Sequence, residues 1–213
     1  LGRLGNDLDF TTPARPEVVK EILDEWAETV WDTGIDFGTV SAAYKGQQIE
    51  ITTFRSDSYD GQSRNPEVVY GDTLEGDLVR RDFKANAMAI ELLADASFKF
   101  HDPLHGLQDI ADRVLDTPDK PEISFHDDPL RMLRAARFAS QLEFRVADRV
   151  VEAMRDMAGE IQRITVERVQ VELDKLICGT APWDGIDLLV STGIADYIFP
   201  LSLIHISERA GKA

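Results

Sequence analysis

The chain has 213 residues, of which 43% are hydrophobic and 29% charged, with a formal charge of −16 and 1 cysteine. This composition supports one large or two small folded domains; the single cysteine, Cys178, excludes an internal disulfide and fits a reducing cytoplasm. The acidic balance argues against this segment alone gripping a nucleic-acid backbone, no apolar run approaches a membrane span, and the opening Leu1-Gly2-Arg3-Leu4-Gly5 lacks signal-peptide architecture.

Asn6 to Thr12 reads as a short strand whose period of two places Asp7 and Asp9 on one face and Leu8 and Phe10 on the other. Two carboxylates on one strand face can hold Mg²⁺ together, which suits phosphoryl transfer; the alternative is a pair of solvated edge aspartates. Pro16 to Trp31 has helical periodicity, with Val18, Val19, Ile22, Leu23, Trp26 and Val30 along one side. Thr39 to Tyr44 and Gln48 to Arg55 then read as two strands joined at Lys45-Gly46. Ile49 and Ile51 face one side, so Glu50 faces the other, either as an exposed strand glutamate or as a third carboxylate near Asp7 and Asp9. Ser56 to Gly76, rich in Ser, Asp, Gly and Asn, reads as a long loop.

Arg80-Arg81-Asp82-Phe83-Lys84-Ala85-Asn86-Ala87 follows, and Met88 to Leu92 with Phe98 to His101 form a second hairpin pattern. Pro103 and Gly106, in Asp102-Pro103-Leu104-His105-Gly106, end that sheet and redirect the chain. His101, His105 and His126 have no His or Cys at ligand spacing and read as solvent-facing. After Pro118 and Pro121 the pattern is helical over Asp128 to Leu142, Ala147 to Met157, Thr165 to Cys178 and Trp183 to Thr192, which puts a domain boundary near Asp119.

The first of these helices starts with Asp128 as N-cap and Pro129 at the first position. Arg131 lies three residues beyond Asp128 and four beyond Asp127, with Arg134 one turn on, while Leu130, Leu133 and Ala136 form a packing stripe. A carboxylate only accepts hydrogen bonds and a guanidinium only donates. Adenine and cytosine each present an amino donor beside a ring-nitrogen acceptor, so Asp plus Arg complements either base and refuses guanine and uracil. The alternative is a capped helix with ordinary surface ion pairs.

The stretch from Asp127 to Phe138 resembles the "EDPLRxLRxxRF" signature of the class II tRNA nucleotidyltransferases and bacterial poly(A) polymerases. Four further stretches match that family in order. Asp7 to Thr12 matches "DxDFxT"; Arg80 to Ala87 is similar to "RRDFTxNA", with Lys84 in place of the family's Thr or Ser. Asp102 to Gly106 resembles "DPxxG", followed by Asp109, and Glu167 to Leu173 resembles "ERxxxEL". The resemblance implies an α+β fold: a polymerase-β-like nucleotidyltransferase head over residues 1–119, and an all-α neck over residues 120–200 that recognises the nucleotide base. The head would lack its first strand and the Gly-Gly-x-Val-Arg-Asp triphosphate loop, and residues 201–213 depart from the family pattern and read as a non-native tail.

What the resemblance implies for the site can be given residue by residue. Asp7 and Asp9 would be catalytic and hold Mg²⁺, with Glu50 a further candidate ligand; Arg80 or Arg81 would face phosphate, Asp82 a ribose hydroxyl, and Asn86 would brace the turn. Asp128 and Arg131 would read the base, with Arg134 completing the stripe. Asp102 and Gly106 would form the hinge, and Glu167 and Arg168 structural ion pairs. The implied reaction is attack of the tRNA 3′ end on the α-phosphate of CTP or ATP with release of pyrophosphate, that is, CCA addition. Poly(A) polymerases and CC- or A-adding enzymes share these motifs. The absence of the triphosphate loop leaves open a non-catalytic nucleotide- or RNA-binding fragment, with the RNA-binding body elsewhere.

Overall fold

Alternating acidic and apolar residues do form a strand at the start of the computed structural model, which describes residues 7–56 and 69–199. The chain divides into two units that part between Arg80 and Arg81.

In the first unit, β1 (Asp7–Thr12) runs parallel to β4 (Gln47–Thr53), β4 pairs antiparallel with β3 (Thr39–Tyr44), and β2 (Thr29–Trp31) closes the order β1-β4-β3-β2. Lys45 and Gly46, with φ of 49° and 76°, make the tight β3–β4 turn; positive φ at both central residues matches the right-handed twist of the strands. Helix α1 (Pro16–Asp24) starts with Pro16 and buries Val19 and Leu23 against Val40 and Ala42.

This helix is shorter than its periodicity predicts. The amides of Trp26 and Ala27 turn back to the Leu23 carbonyl, at 3.2 and 2.8 Å, and Thr29 to Trp31 pairs with Ser41 to Ala43 instead. A β-branched and aromatic triplet fits a pleated surface better than the end of a helix. Part of the expected loop is also structured: β5 (Arg55–Ser56) pairs with β6 (Val69–Tyr70), and α2 (Leu74–Val79) is capped by the Thr73 hydroxyl, which accepts from the Gly76 amide. Residues 57–68 of that loop lie outside the described residues, as do residues 201–213, expected to form a non-native tail.

The second unit opens with a 3₁₀ turn at Lys84–Asn86 and the hairpin β7 (Ala89–Leu92) and β8 (Phe98–His101). There follow α3 (Gly106–Asp112), β9 (Val114–Leu115), α4 (Pro121–Asp127), α5 (Leu130–Leu142) and β10 (Arg145–Val146), which pairs with β9. Helices α6 (Asp148–Asp156), α7 (Val166–Ile177), α8 (Pro182–Ser191) and α9 (Ile194–Ile198) complete it. The four helices expected from periodicity are α5, α6, α7 and α8, with ends within two residues of expectation.

Helix α5 runs through the core. Met132, Leu133, Ala135 and Ala136 are fully buried, and Phe125, Met154, Leu176, Leu189 and Ile194 pack in the same cluster. Phe83 and Leu115, each 1% exposed, belong to it too. The two side chains precede the prolines yet are buried by the helices that follow them. Gly185 lets α8 approach α5, since a Cβ there would lie 2.6 Å from the Ala136 carbonyl oxygen.

A polar cluster ties the 3₁₀ turn and α6 to Asp116, the residue that follows β9. Lys84 Nζ donates to Asp116 Oδ2 at 2.6 Å and Arg149 Nε to Asp116 Oδ1 at 2.7 Å. Burial by itself raises the Asp116 pKa, but the hydrogen bonds and charges of Arg149 and Lys84 outweigh it and hold the carboxyl below its usual value. Asp109 goes the other way: burial pushes its carboxyl up, Lys84 offsets part of that, and the carboxylates of Asp116, Asp112 and Asp102 add to it. Its Oδ2 is buried without a hydrogen-bond partner among the described residues.

A carboxyl whose folded pKa is raised contributes stability below its unfolded value, about 4, and loses that contribution as pH rises through the folded value. At pH 7 the charged Asp109 is therefore a cost. Asp109→Asn is expected to raise the urea midpoint of the second unit at pH 7, with the advantage shrinking as pH falls through the raised folded value and gone below about pH 4. A gain that stays constant across that range would point to packing instead of charge.

Candidate functional site

The β1–β4 register sets Asp9 opposite Glu50 and Asp7 opposite Gln48, and Glu50 in turn lies opposite Ser41 on β3. Because α1 covers the face carrying Val40 and Ala42, Asp9, Glu50, Gln48 and Ser41 share the other face. Gln48 Nε2 donates to Glu50 Oε1 at 3.2 Å, and Asp9 is exposed. Hard carboxylate oxygens on an open sheet face suit a divalent cation that keeps water or phosphate oxygens at its remaining positions. Among the described residues there is no group of three or more His, Cys, Asp or Glu arranged to hold a metal by themselves. Arg80 ends this unit as the C-cap of α2, partly buried.

The second unit holds the other candidates. Arg81 is exposed, and next to it Asp82 is 6% exposed. Asp82 Oδ1 accepts from the Phe83 amide at 3.1 Å and from Asn86 Nδ2 at 2.7 Å, while Asn86 Oδ1 accepts from the Phe83 amide at 3.3 Å. Asp82 Oδ2 accepts from Arg134 Nε of α5 at 2.5 Å. The Arg134 guanidinium also lies over the Phe138 ring, 5.5 Å from its centre, and Phe138 packs edge-on against Phe83 at 5.7 Å. One ion pair and one aromatic pair thus dock the Arg81–Asn86 turn onto α5.

At the start of α5, Pro129 already has helical backbone angles and Asp128 Oδ1 accepts from the Leu130 amide at 3.1 Å, so the aspartate caps the helix as its spacing predicts. Its second oxygen accepts from Arg168 Nη2 of α7 at 3.0 Å. Arg131 Nη1 donates to the Ser124 hydroxyl of α4 at 2.8 Å. The two candidate base-reading side chains therefore sit one helical turn apart, each braced by a different neighbouring helix. Beside them α5 and α7 leave a surface groove of about 300 Å³ lined by Leu130, Glu167, Arg168, Val171 and Glu172. Glu167, in the first turn of α7, is held below its usual range by its own backbone amide and by the Thr165 hydroxyl.

Asp102 accepts from the Gly106 amide at 2.6 Å and the Leu107 amide at 3.0 Å, which places a carboxylate on the first turn of α3. His101 Nε2 lies 2.8 Å from Glu91 across the β7–β8 hairpin. Sequence reasoning missed two residues. Arg137 is buried on α5 with Nη1 3.1 Å from Glu172 Oε2 of α7, and its guanidinium lies 4.3 Å from the centre of the same Phe138 ring. The signal was present, since Arg131, Arg134 and Arg137 repeat at every third position and Glu172 is the second acidic residue of the Glu167 to Leu173 stretch.

The sequence profile described as "Poly A polymerase head domain" matches residues 1–116, and one described as "Probable RNA and SrmB- binding site of polymerase A" matches residues 143–202. The chain is 39% identical over 199 residues to a CCA-adding enzyme of Listeria innocua and 41% identical over 198 residues to that of Levilactobacillus brevis. These alignments cover 93% and 92% of this chain but 49% and 48% of the relatives, so the chain spans about half the length of the curated relatives it matches. Its fold is similar to a crystal structure of the Bacillus stearothermophilus CCA-adding enzyme in complex with CTP, with a TM-score of 0.81 and 35% identity over 94% of this chain and 47% of that one. It is also similar to the Thermotoga maritima CCA-adding enzyme complexed with tRNA, with a TM-score of 0.74 and 26% identity over 94% of this chain and 45% of that one. On this head-domain match, which spans more than half of its length, the chain belongs to the poly A polymerase head-domain family of nucleotidyltransferases.

Proposed function

We propose that this chain is the nucleotide-binding part of a template-independent RNA nucleotidyltransferase that adds CMP and AMP, from CTP and ATP, to the 3′ end of tRNA. The carrying observation is the start of α5, where Asp128 supplies an acceptor and Arg131, one helical turn on, a donor, each held by a neighbouring element. Matching relatives are CCA-adding enzymes, and one related structure contains CTP. In this reading residues 1–119 act as the head and residues 120–200 as the neck. The setting is the cytoplasm, consistent with one cysteine and with no described helix long and apolar enough to cross a membrane.

Each group has a role that follows from its chemistry. Asp7 and Asp9, with Glu50 alongside, would hold Mg²⁺, which when bound neutralises the triphosphate and lowers the pKa of an attacking hydroxyl. Arg80 and Arg81 supply charge toward phosphate. Asp82 Oδ1 already accepts two hydrogen bonds, so a ribose hydroxyl must use the lone pair of Oδ2 that Arg134 leaves. Asp128 accepts from the exocyclic amine of cytosine or adenine, and Arg131 donates to the adjacent ring nitrogen. Asp102, Gly106, Glu167 and Arg168 hold the surrounding turns and helices.

Calorimetry of the 213-residue chain with the four nucleoside triphosphates and Mg²⁺ tests this. CTP and ATP are expected to bind more tightly than GTP and UTP, by about tenfold or more for one well-made pair of hydrogen bonds. Arg131→Ala should bring the four affinities together while leaving the Mg²⁺ dependence intact. Unchanged discrimination in that variant would remove Arg131 from base reading. The head-domain match also favours poly(A) synthesis as a second reading, and sequencing the product made on a tRNA lacking its 3′ end separates the two.

A further inference from the structure

Two guanidinium groups on α5 crowd a single aromatic ring. Arg134 and Arg137 lie 5.5 and 4.3 Å from the centre of Phe138, and among the described residues each is paired with a carboxylate: Asp82 for Arg134, Glu172 for Arg137. Arg137 and Glu172 are 7% and 5% exposed, so neither charge is relieved by water. Their contact is imperfect. Arg137 Nη1 is 3.3 Å from Oε1 and 3.1 Å from Oε2, while Arg137 Nε is buried without a partner among the described residues. Arg137 shares the Phe138 ring with Arg134, which is bonded to Asp82, and that ring packs on Phe83, the neighbour of Asp82, so the Asp82–Arg134 pair lies close to Arg137; in keeping with this, burial lowers the Arg137 pKa, Glu172 raises it, Arg134 lowers it and Asp82 raises it.

We propose that Glu172 is a positioning residue that holds Arg137 away from Asp82, so that Asp82 stays paired with Arg134 and keeps one carboxylate lone pair for a ribose hydroxyl. A guanidinium never gives up its charge under ordinary conditions and a buried one needs an acceptor. With Glu172 neutralised, the nearby carboxylate is Asp82, and a second guanidinium there would occupy the lone pair that Arg134 leaves. Neutralising Glu172 should therefore remove recognition of the sugar, although Glu172 does not touch it. This inference rests on the nucleotide-binding reading above and extends it to sugar selection.

The test is calorimetry on the 213-residue chain with CTP and with 2′-deoxy-CTP, both with Mg²⁺. The unmodified chain is expected to prefer CTP by about tenfold, the scale of one hydrogen bond to a charged acceptor. Glu172→Gln should close that gap, whereas Arg137→Met and the double variant Glu172→Gln/Arg137→Met should keep it because no rival guanidinium remains. A merely structural pair would make the two single variants behave alike. A persisting gap in a folded Glu172→Gln protein overturns the proposal. Should that variant fail to fold, the double variant decides: a retained gap supports the proposal and a lost gap overturns it. If the unmodified chain does not distinguish the two nucleotides, the fault lies in the ribose role of Asp82, and both readings fall at that point.

Discussion

Asp82→Ala is expected to lower the stability of the second unit by about 3 kcal/mol or more, a large share of the roughly 5–15 kcal/mol that holds a typical domain together. The residue is buried and its two oxygens receive three donors: the Phe83 amide, Asn86 Nδ2 and Arg134 Nε. Removing the carboxylate leaves the Phe83 amide with only the longer 3.3 Å contact to Asn86, and leaves Asn86 Nδ2 and the Arg134 guanidinium without that acceptor. Each unsatisfied donor costs about 1–3 kcal/mol when water cannot replace the partner, and Arg134, 32% exposed, recovers part of its share from solvent. Urea denaturation followed through amide hydrogen exchange in α5 reads the second unit separately from the first. Asp82→Asn, which keeps an acceptor for the Phe83 amide but loses the charge on Arg134, should fall between the parent and the alanine variant. Equal stability for parent and alanine variant would mean that the turn is held by Phe83 and Phe138 alone.

The same residue shows how far the sequence could be read. Its place in a distinctive string was visible, but its partner Arg134 lies 52 positions away, and no periodicity links the two. Asp128 was legible as a cap because capping is local, whereas its second partner, Arg168, lies 40 positions on and belongs to another helix. Helices α5 to α8 announced themselves because each repeats an apolar stripe over at least two turns. The two-residue strands β9 and β10, and helices α3 and α4 of seven residues, are too short to establish a period and are fixed by the core they cover. The overlong reading of α1 has the opposite cause: an apolar spacing that suits a helix continued by chance through Ala27 into a strand. In the candidate site, one-sided placement of Asp9 and Glu50 follows from alternation, but their adjacency needs the parallel β1–β4 register, which only the folded sheet supplies.

Gly106→Ala should be the most disruptive single-methyl change in the second unit. A Cβ at Gly106 would lie 2.0 Å from the Lys84 carbonyl oxygen and 2.9 Å from its carbonyl carbon. Both are backbone atoms, so no side-chain rotation relieves the overlap, and either α3 or the Lys84–Asn86 turn must move. Movement of α3 pulls the Gly106 and Leu107 amides from Asp102, while movement of the turn disturbs Asn86 and Asp82. Overpacking of a rigid contact typically costs about 1–3 kcal/mol, and a backbone clash of this depth belongs at or above the upper end. Gly46→Ala is the control: it sits in the β3–β4 turn with φ of 76° and nothing within 4 Å, so its cost should be only the left-handed strain of about 1 kcal/mol, confined to the first unit. Because the turn that carries Asp82 leans on Gly106, the alanine variant should weaken CTP binding along with stability, whereas Gly46→Ala should leave the second unit's exchange protection unchanged. A Gly106→Ala protein with parental stability and parental CTP affinity would show that α3 can slide away from Lys84 freely, and the site would then owe its shape to α5 alone.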